Sequence, residues 1–240
     1  MRSEPLRDWL TRITMILSPF LVAVLGNSFP VTAQLLAQSQ QGSPFREELI
    51  AEVAPGSEVK NVLVLPSHVA WVESMGGKRE FKVDSQPLGE AYDDIKDLNV
   101  SPDLKHFVFI GKRGAAWVVV EDGKERSPEY TLITSVEFQP HGDSMAYGAC
   151  HDKKCRLVVN GTETGSEYEE ISFPQYSHDS KKIGFLGKRD NEWDAVVDGK
   201  AVGSGSEAIW GPMWGFSADD KHFFFAASPG GGESGVRAGI

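Results

Sequence analysis

Two cysteines and six histidines are all that the 240 residues offer a soft metal. The cysteines, Cys150 and Cys155, have only His151 between them as a further ligand, one short of a tetrahedral site. H-E-x-x-H and Walker-type phosphate loops are absent. The one serine-glycine run, Gly203-Ser-Gly-Ser-Glu207, has the wrong spacing for a G-x-S-x-G nucleophile elbow and sits where a loop is expected. Catalysis, a metal and a cofactor are therefore not expected. Basic residues are also scarce, 24 Lys and Arg against 34 Asp and Glu. A polyanionic main partner, nucleic acid or an acidic membrane surface, is disfavoured by that balance. No segment shows the helical period, and only one apolar run is long.

That run, Ile13 to Gly26, follows Arg2, Arg7 and Arg12 and precedes the small residues Val31-Thr32-Ala33. A positive start, an apolar core and a small-residue cleavage site describe a secretory signal over residues 1–33. The run contains Pro19 and falls short of the roughly 20 residues of a membrane span. A cleaved signal is favoured over an uncleaved anchor, and no cysteine follows the run to carry a lipid. The expected location is exported, periplasmic or extracellular, with no membrane insertion after cleavage. Without residues 1–33, which hold three basic and two acidic side chains, 21 Lys and Arg face 32 Asp and Glu, a formal charge of −11. Residues 34–46 are polar and Gln-rich and read as a disordered spacer. Residues 229–240 read as a flexible Gly-rich tail.

Between them the chain repeats itself every 38 residues. Pro102, Pro140 and His178 mark one turn, and Asp122-Gly123, Asn160-Gly161 and Asp198-Gly199 mark another. Apolar residues alternate within each unit: Phe107 and Phe109 correspond to Met145 and Tyr147, Ile183 and Phe185, and Phe223 and Phe225. Alternation with period two is the half-buried strand signal. Four units, 62–95, 97–133, 135–171 and 173–209, each hold four short strands, and a fifth starts at 213. Four-stranded repeats of about 40 residues are blades of a β-propeller. The fold class is all-β, a propeller of four full blades and a partial fifth over residues 47–228. A short strand at Glu47–Val53 would complete the last blade; the alternative is an open array with unpaired edges.

Ser101-Pro102-Asp103-Leu104-Lys105, followed by an aromatic strand, resembles the WD40-like, TolB-type β-propeller repeat, which has a Ser-Pro-Asp-Gly-Lys-like turn between its first two strands. The other units read Gln139-Pro-His-Gly-Asp143, Ser177-His-Asp-Ser-Lys181 and Ser217-Ala-Asp-Asp-Lys221. The resemblance covers about residues 62–228. It implies a binding or scaffolding role outside the cytoplasm. Similar propellers also stand in front of peptidase domains, so the alternative is an accessory domain, or a truncated remnant, of a propeller-containing hydrolase.

Five sets of residues are candidates for function. Cys150 and Cys155 lie opposite each other if their flanks form a hairpin around a four-residue loop, within reach of a disulfide; two free thiols are the alternative. Asp103, Asp143, Asp179 and Asp219 are expected to brace equivalent turns through their carboxylates. Asn160-Gly-Thr162 matches a glycosylation sequon, but Asn-Gly is also the pair that a tight hairpin turn needs. The loop between second and third strands repeats a basic pair: Lys78-Arg79, Lys112-Arg113, Lys153-Lys154 and Lys188-Arg189. On one face these would form a positive ring that docks an acidic protein or an anionic ligand; the alternative is ordinary solvated hairpin tips. Trp210, without a counterpart in other units, is either a contact residue or core.

Overall fold

The computed structural model describes residues 13–17, 20–24, 46–48, 52–206, 208–228 and 235–239, with side chains over 52–203 and 214–226. It is all-β, built from antiparallel four-stranded sheets that repeat along the chain. Blade 1 spans Glu58–Val64, Val69–Met75, Lys78–Val83 and Gln86–Pro87. Blade 2 is Asp94–Val100, Phe107–Arg113, Ala116–Glu121 and Lys124–Glu125. Blade 3 runs Leu132–Phe138, Met145–His151, Lys154–Val159 and Thr162–Tyr168. In blade 4 the first strand is split into Glu170–Ile171 and Gln175–Tyr176, on either side of Pro174, which has no N–H for the ladder. Ile183–Arg189, Glu192–Val197 and Lys200–Ser206 complete it. Blade 5 has Ala208–Phe216, Phe223–Ser228 and Gly235–Gly239.

The fold class read from the period is the one found, with the phase moved so that each blade opens a few residues before the apolar alternation. Strands also lie outside the four expected repeats. Gly235–Gly239 lies in the stretch read as a tail, yet pairs with Phe223–Ala227; backbone pairing does not need the side-chain alternation that was looked for. Arg46–Glu48 is a strand that begins at the end of the expected spacer, and it runs parallel to Phe20–Val24 rather than completing the last blade. The described part of the expected signal, Ile13–Leu17 and Phe20–Val24, forms an antiparallel pair.

The chain divides into two compact units, Met1–Ala91 and Tyr92–Ile240. In the first, Glu73 is the buried anchor of blade 1. Its carboxylate accepts from Ala54 N at 3.2 Å and Ser57 Oγ at 2.6 Å and meets Lys82 Nζ at 2.7 Å. Burial would raise its pKa; the hydrogen bonds from Lys82 and Ser57 outweigh that and hold it below the ordinary value. In the second unit, blades 2 to 5 stack face on face. Val108 and Ile110 of blade 2 pack with Val136, Phe138, Met145 and Tyr147 of blade 3. Leu186 of blade 4 meets Phe216, Phe223 and Phe225 of blade 5 in the same way.

One two-residue turn does two jobs in every full blade. At Asp84-Ser85, Asp122-Gly123, Asn160-Gly161 and Asp198-Gly199 both residues have positive φ, between 48° and 76°. That is the mirror-image turn whose twist suits a hairpin. The side-chain oxygen of its first residue then accepts the N–H that opens the second strand: Val69, Phe107, Met145 or Ile183, at 2.9–3.0 Å. An aspartate or asparagine is the residue type that tolerates the left-handed backbone and supplies the acceptor.

Candidate functional site

At the other end of the sheets, where second and third strands meet, the second unit repeats a small cluster on three successive blades. In blade 2, the Arg113 guanidinium lies 5.6 Å from the ring centre of Tyr92 and pairs with Glu125 at 2.6 Å. The Tyr92 hydroxyl donates to the same carboxylate at 3.1 Å. In blade 3, His151 stacks on Tyr130 at 4.6 Å and faces Glu163 at 3.6 Å, and Tyr130 OH donates to Glu163 at 3.3 Å. In blade 4, Arg189 lies 5.0 Å over Tyr168 and pairs with Asp194 at 3.1 Å. The rings are buried, whereas the Arg113, His151 and Arg189 side chains are 45%, 57% and 46% exposed. Burial drives the Tyr130 and Tyr168 hydroxyls up, so both stay protonated donors.

Two of these tyrosines are positioned by a crossing. Tyr130 pairs through its backbone with Trp117 of blade 2, at 2.8 and 2.9 Å. Its ring packs on Tyr147 and His151 of blade 3. Tyr168 likewise pairs with Cys155 of blade 3 and places its ring against Phe185 of blade 4. Each ring thus joins the outer strand of one blade to the core of the next.

Just inboard, one cross-strand pair changes chemistry from blade to blade. Lys112 faces Trp117 in blade 2 and Lys188 faces Trp193 in blade 4, the ammonium groups 5.3 and 5.9 Å from the indole centres. At the equivalent place in blade 3 stand Cys150 and Cys155, joined as a disulfide with a Cα separation of 3.9 Å. The loop between their strands is the two-residue turn Asp152-Lys153, shorter than expected, because His151 and Lys154 already pair.

Of the basic residues singled out from the sequence, the six in the second unit stand at or beside these hairpin tips, and most of the six are not free. Besides Arg113 and Arg189, Lys188 pairs with Glu170 at 3.0 Å and Lys154 with Glu167 at 3.5 Å. Lys153 has no ion pair among the described residues. The Trp210 side chain lies outside them. Sequence reasoning finds Tyr92, Tyr130 and Tyr168 at the 38-residue spacing but does not single them out as site residues, nor Glu125 and Glu163, which keep the same spacing.

The opposite rim carries the Ser-x-Asp turns. Ser101, Ser177 and Ser217 each donate to the aspartate two residues on, at 2.6–2.8 Å, and that carboxylate also accepts the N–H of Lys105, Lys181 or Lys221. These hydrogen bonds hold Asp179 down at about 2, and Asp103 and Asp219 below the ordinary value. Asp143 is not a fourth member. The left-handed residue of the turn is Leu104, Gly142, Ser180 or Asp220, which places His141 against Asp103 and Asp143 against Lys105. Neighbouring turns are tied together: His141 N donates to Ser180 Oγ, and His178 N and Asp179 N donate to the Asp220 carboxylate, all at 2.8 Å.

Along the inner strands, Asp97 and Lys96 reach blade 3. Asp97 accepts Val136 N at 2.6 Å, and Lys96 Nζ donates to Ile133 O at 2.9 Å. Burial raises the Asp97 carboxyl. It also raises Glu137, with Asp97 adding to the effect. No group of three or more His, Cys, Asp or Glu side chains is arranged to hold a metal among the described residues. No helix among them is long and apolar enough to cross a membrane.

No family model and no curated protein matches this chain. Solved structures do. TolB from Acinetobacter baumannii is similar at 15% identity and a TM-score of 0.45, over 71% of this chain and 47% of that one. Dihydro-heme d1 dehydrogenase NirN is similar at 13% identity and a TM-score of 0.44, over 72% and 43%. The β-propeller domain of the Trilobed protease from Pyrococcus furiosus gives 15% and 0.46, over 76% and 68%. The chain spans less than half the length of the first two. Similarity at this level speaks to neither activity nor partner.

Proposed function

We propose that this chain is an exported, non-enzymatic propeller-type scaffold that docks a protein partner on the face where second and third strands meet. The observation that carries the reading is the cluster, repeated on three blades, of a half-exposed arginine or histidine laid over a buried tyrosine and facing a carboxylate. An arginine fixed in this way loses little further freedom on binding, and arginine and tyrosine are enriched where interfaces concentrate their energy. Because Arg113, Lys154, Lys188 and Arg189 already have carboxylates, the face is a pattern of both signs. It suits a protein surface with complementary charges of both signs better than the uniformly acidic ligand expected from the basic pairs alone. Lys112 and Lys153 complete the polar face.

The test is crosslinking capture from the exported fraction with the full chain, beside Arg113→Ala/Arg189→Ala and a control, Lys105→Ala/Lys181→Ala, on the opposite rim. Melting curves confirm that each variant is folded. A partner kept by the control and lost by the arginine variant supports the reading. Equal capture by all three refutes it.

A further inference from the structure

We infer that Asn160 is a site of spontaneous conversion to aspartate, and that the fold selects which aspartyl product accumulates. Among the four equivalent hairpin turns, Asn160-Gly161 alone carries an amide; the others read Asp84-Ser85, Asp122-Gly123 and Asp198-Gly199. Asn160 is exposed. Its Oδ1 accepts the Met145 N–H at 3.0 Å, which polarises the side-chain carbonyl. Its amide nitrogen, the leaving group, has no hydrogen-bond partner among the described residues. Gly161 has no side chain to shield its nitrogen: beyond its chain neighbours, the nearest atom to the place of its missing Cβ is Arg126 O, at 3.9 Å.

The reaction needs only water. The Gly161 backbone nitrogen, losing its proton to solvent, attacks Asn160 Cγ; a C–N bond forms, the Cγ–Nδ2 bond breaks, and ammonia leaves with the transferred proton. Water then opens the resulting cyclic imide. Opening at Cγ gives aspartate, and opening at the main-chain carbonyl gives isoaspartate, whose backbone runs through the side chain. Attack requires the turn to open, and exposed hairpin tips open locally at small free-energy cost.

The two products fit the fold differently. Aspartate rebuilds the turn of blades 1, 2 and 4, where Asp84, Asp122 and Asp198 accept the same strand-opening N–H at 2.9–3.0 Å. Isoaspartate adds a methylene to the backbone of a two-residue turn, which shifts the register of Val159 against Thr162. Since aspartate and isoaspartate exchange through the imide, the fold draws material toward aspartate. A free peptide has no such preference and favours isoaspartate, the product of attack at the main-chain carbonyl, which the amide nitrogen on Cα makes the more electrophilic of the two.

The experiment incubates the folded protein and a synthetic peptide of residues 156–165 at mildly alkaline pH, then separates Asn160, aspartate and isoaspartate forms by peptide mapping. Conversion is expected in both, with aspartate in excess in the protein and isoaspartate in the peptide. Unchanged Asn160 in the protein after the peptide has fully converted overturns the site. The peptide's isoaspartate excess appearing in the protein overturns the selection. Asn160→Asp is expected to melt with the parent; a clear fall in its melting temperature also overturns the selection.

Discussion

Replacing Gly111 by alanine tests how the tyrosine rings are seated. A Cβ at Gly111 would stand 2.6 Å from Tyr92 Cδ1, and one at Gly187 would press on Tyr168 in the same manner. Blade 3 already contains the substitution, because Ala149 occupies the equivalent position beneath Tyr130. There the ring sits further from its core neighbour: Tyr130 and Tyr147 are 6.4 Å apart, against 5.7 Å for Tyr92 and Phe109 and 5.5 Å for Tyr168 and Phe185. The outward shift that an alanine demands is thus under 1 Å, and the fold accommodates it once. Overpacking of this kind costs about 1–3 kcal/mol. Alanine in a strand restores roughly 0.5–1 kcal/mol relative to glycine through the unfolded state. Gly111→Ala should therefore lose about 1 kcal/mol in urea unfolding, with an unchanged m-value, and melt about 2–4 °C lower. A loss above about 4 kcal/mol would show a rigid seat and refute the comparison with blade 3. A gain in stability would mean that the ring does not rest on Gly111 at all.

Two further outcomes are expected. Glu137→Gln should stabilise the protein above acidic pH. The folded-state pKa of Glu137 is raised, so the unfolded chain releases that proton first and stability falls as pH rises from the ordinary glutamate value through the raised one. Melts from about pH 4 to 7 should show that fall in the parent and less of it in the variant; identical profiles would refute the burial argument. Cys150→Ala/Cys155→Ala should cost roughly 2 kcal/mol, the closure entropy of so short a loop. Cys150→Lys/Cys155→Trp, which imports the pair from blades 2 and 4, should recover part of it in denaturant unfolding. Recovery of nothing would show that the Lys-Trp pair is not a substitute.

The blades were legible because the period of 38 is carried by turn chemistry. Asp122-Gly123 and its repeats need positive φ, and Ser101, Ser177 and Ser217 need an aspartate two residues on, so local rules suffice. Asp143 was assigned to the wrong row for want of that register: counted from Pro102 to Pro140, the residue opposite Asp103 is His141. The basic pairs were legible as positions but not as charges. Three of their carboxylates come from strands other than the hairpin that carries the pair: Glu125 and Glu167 from fourth strands and Glu170 from the first strand of blade 4. Whether those residues reach a hairpin tip depends on bulges such as the shift between Cys155 and Leu157. The tyrosine crossings were out of reach for a similar reason. A residue whose backbone belongs to one sheet and whose ring belongs to the next has no signature in either alternation.

The ties on the Ser-x-Asp rim reach only part of the way along the second unit. Ser180 and Asp220 clasp the turns of blades 3 and 4 from the blade that follows. The corresponding residue of blade 3 is Gly142, which has no side chain to clasp blade 2. Blades 2 and 3 are instead held at their inner strands, by Lys96, Asp97 and Asn99. Amide hydrogens of blades 3 to 5 should exchange as one cooperative block, while blade 2 opens on its own schedule. The boundary of that block is a missing side chain.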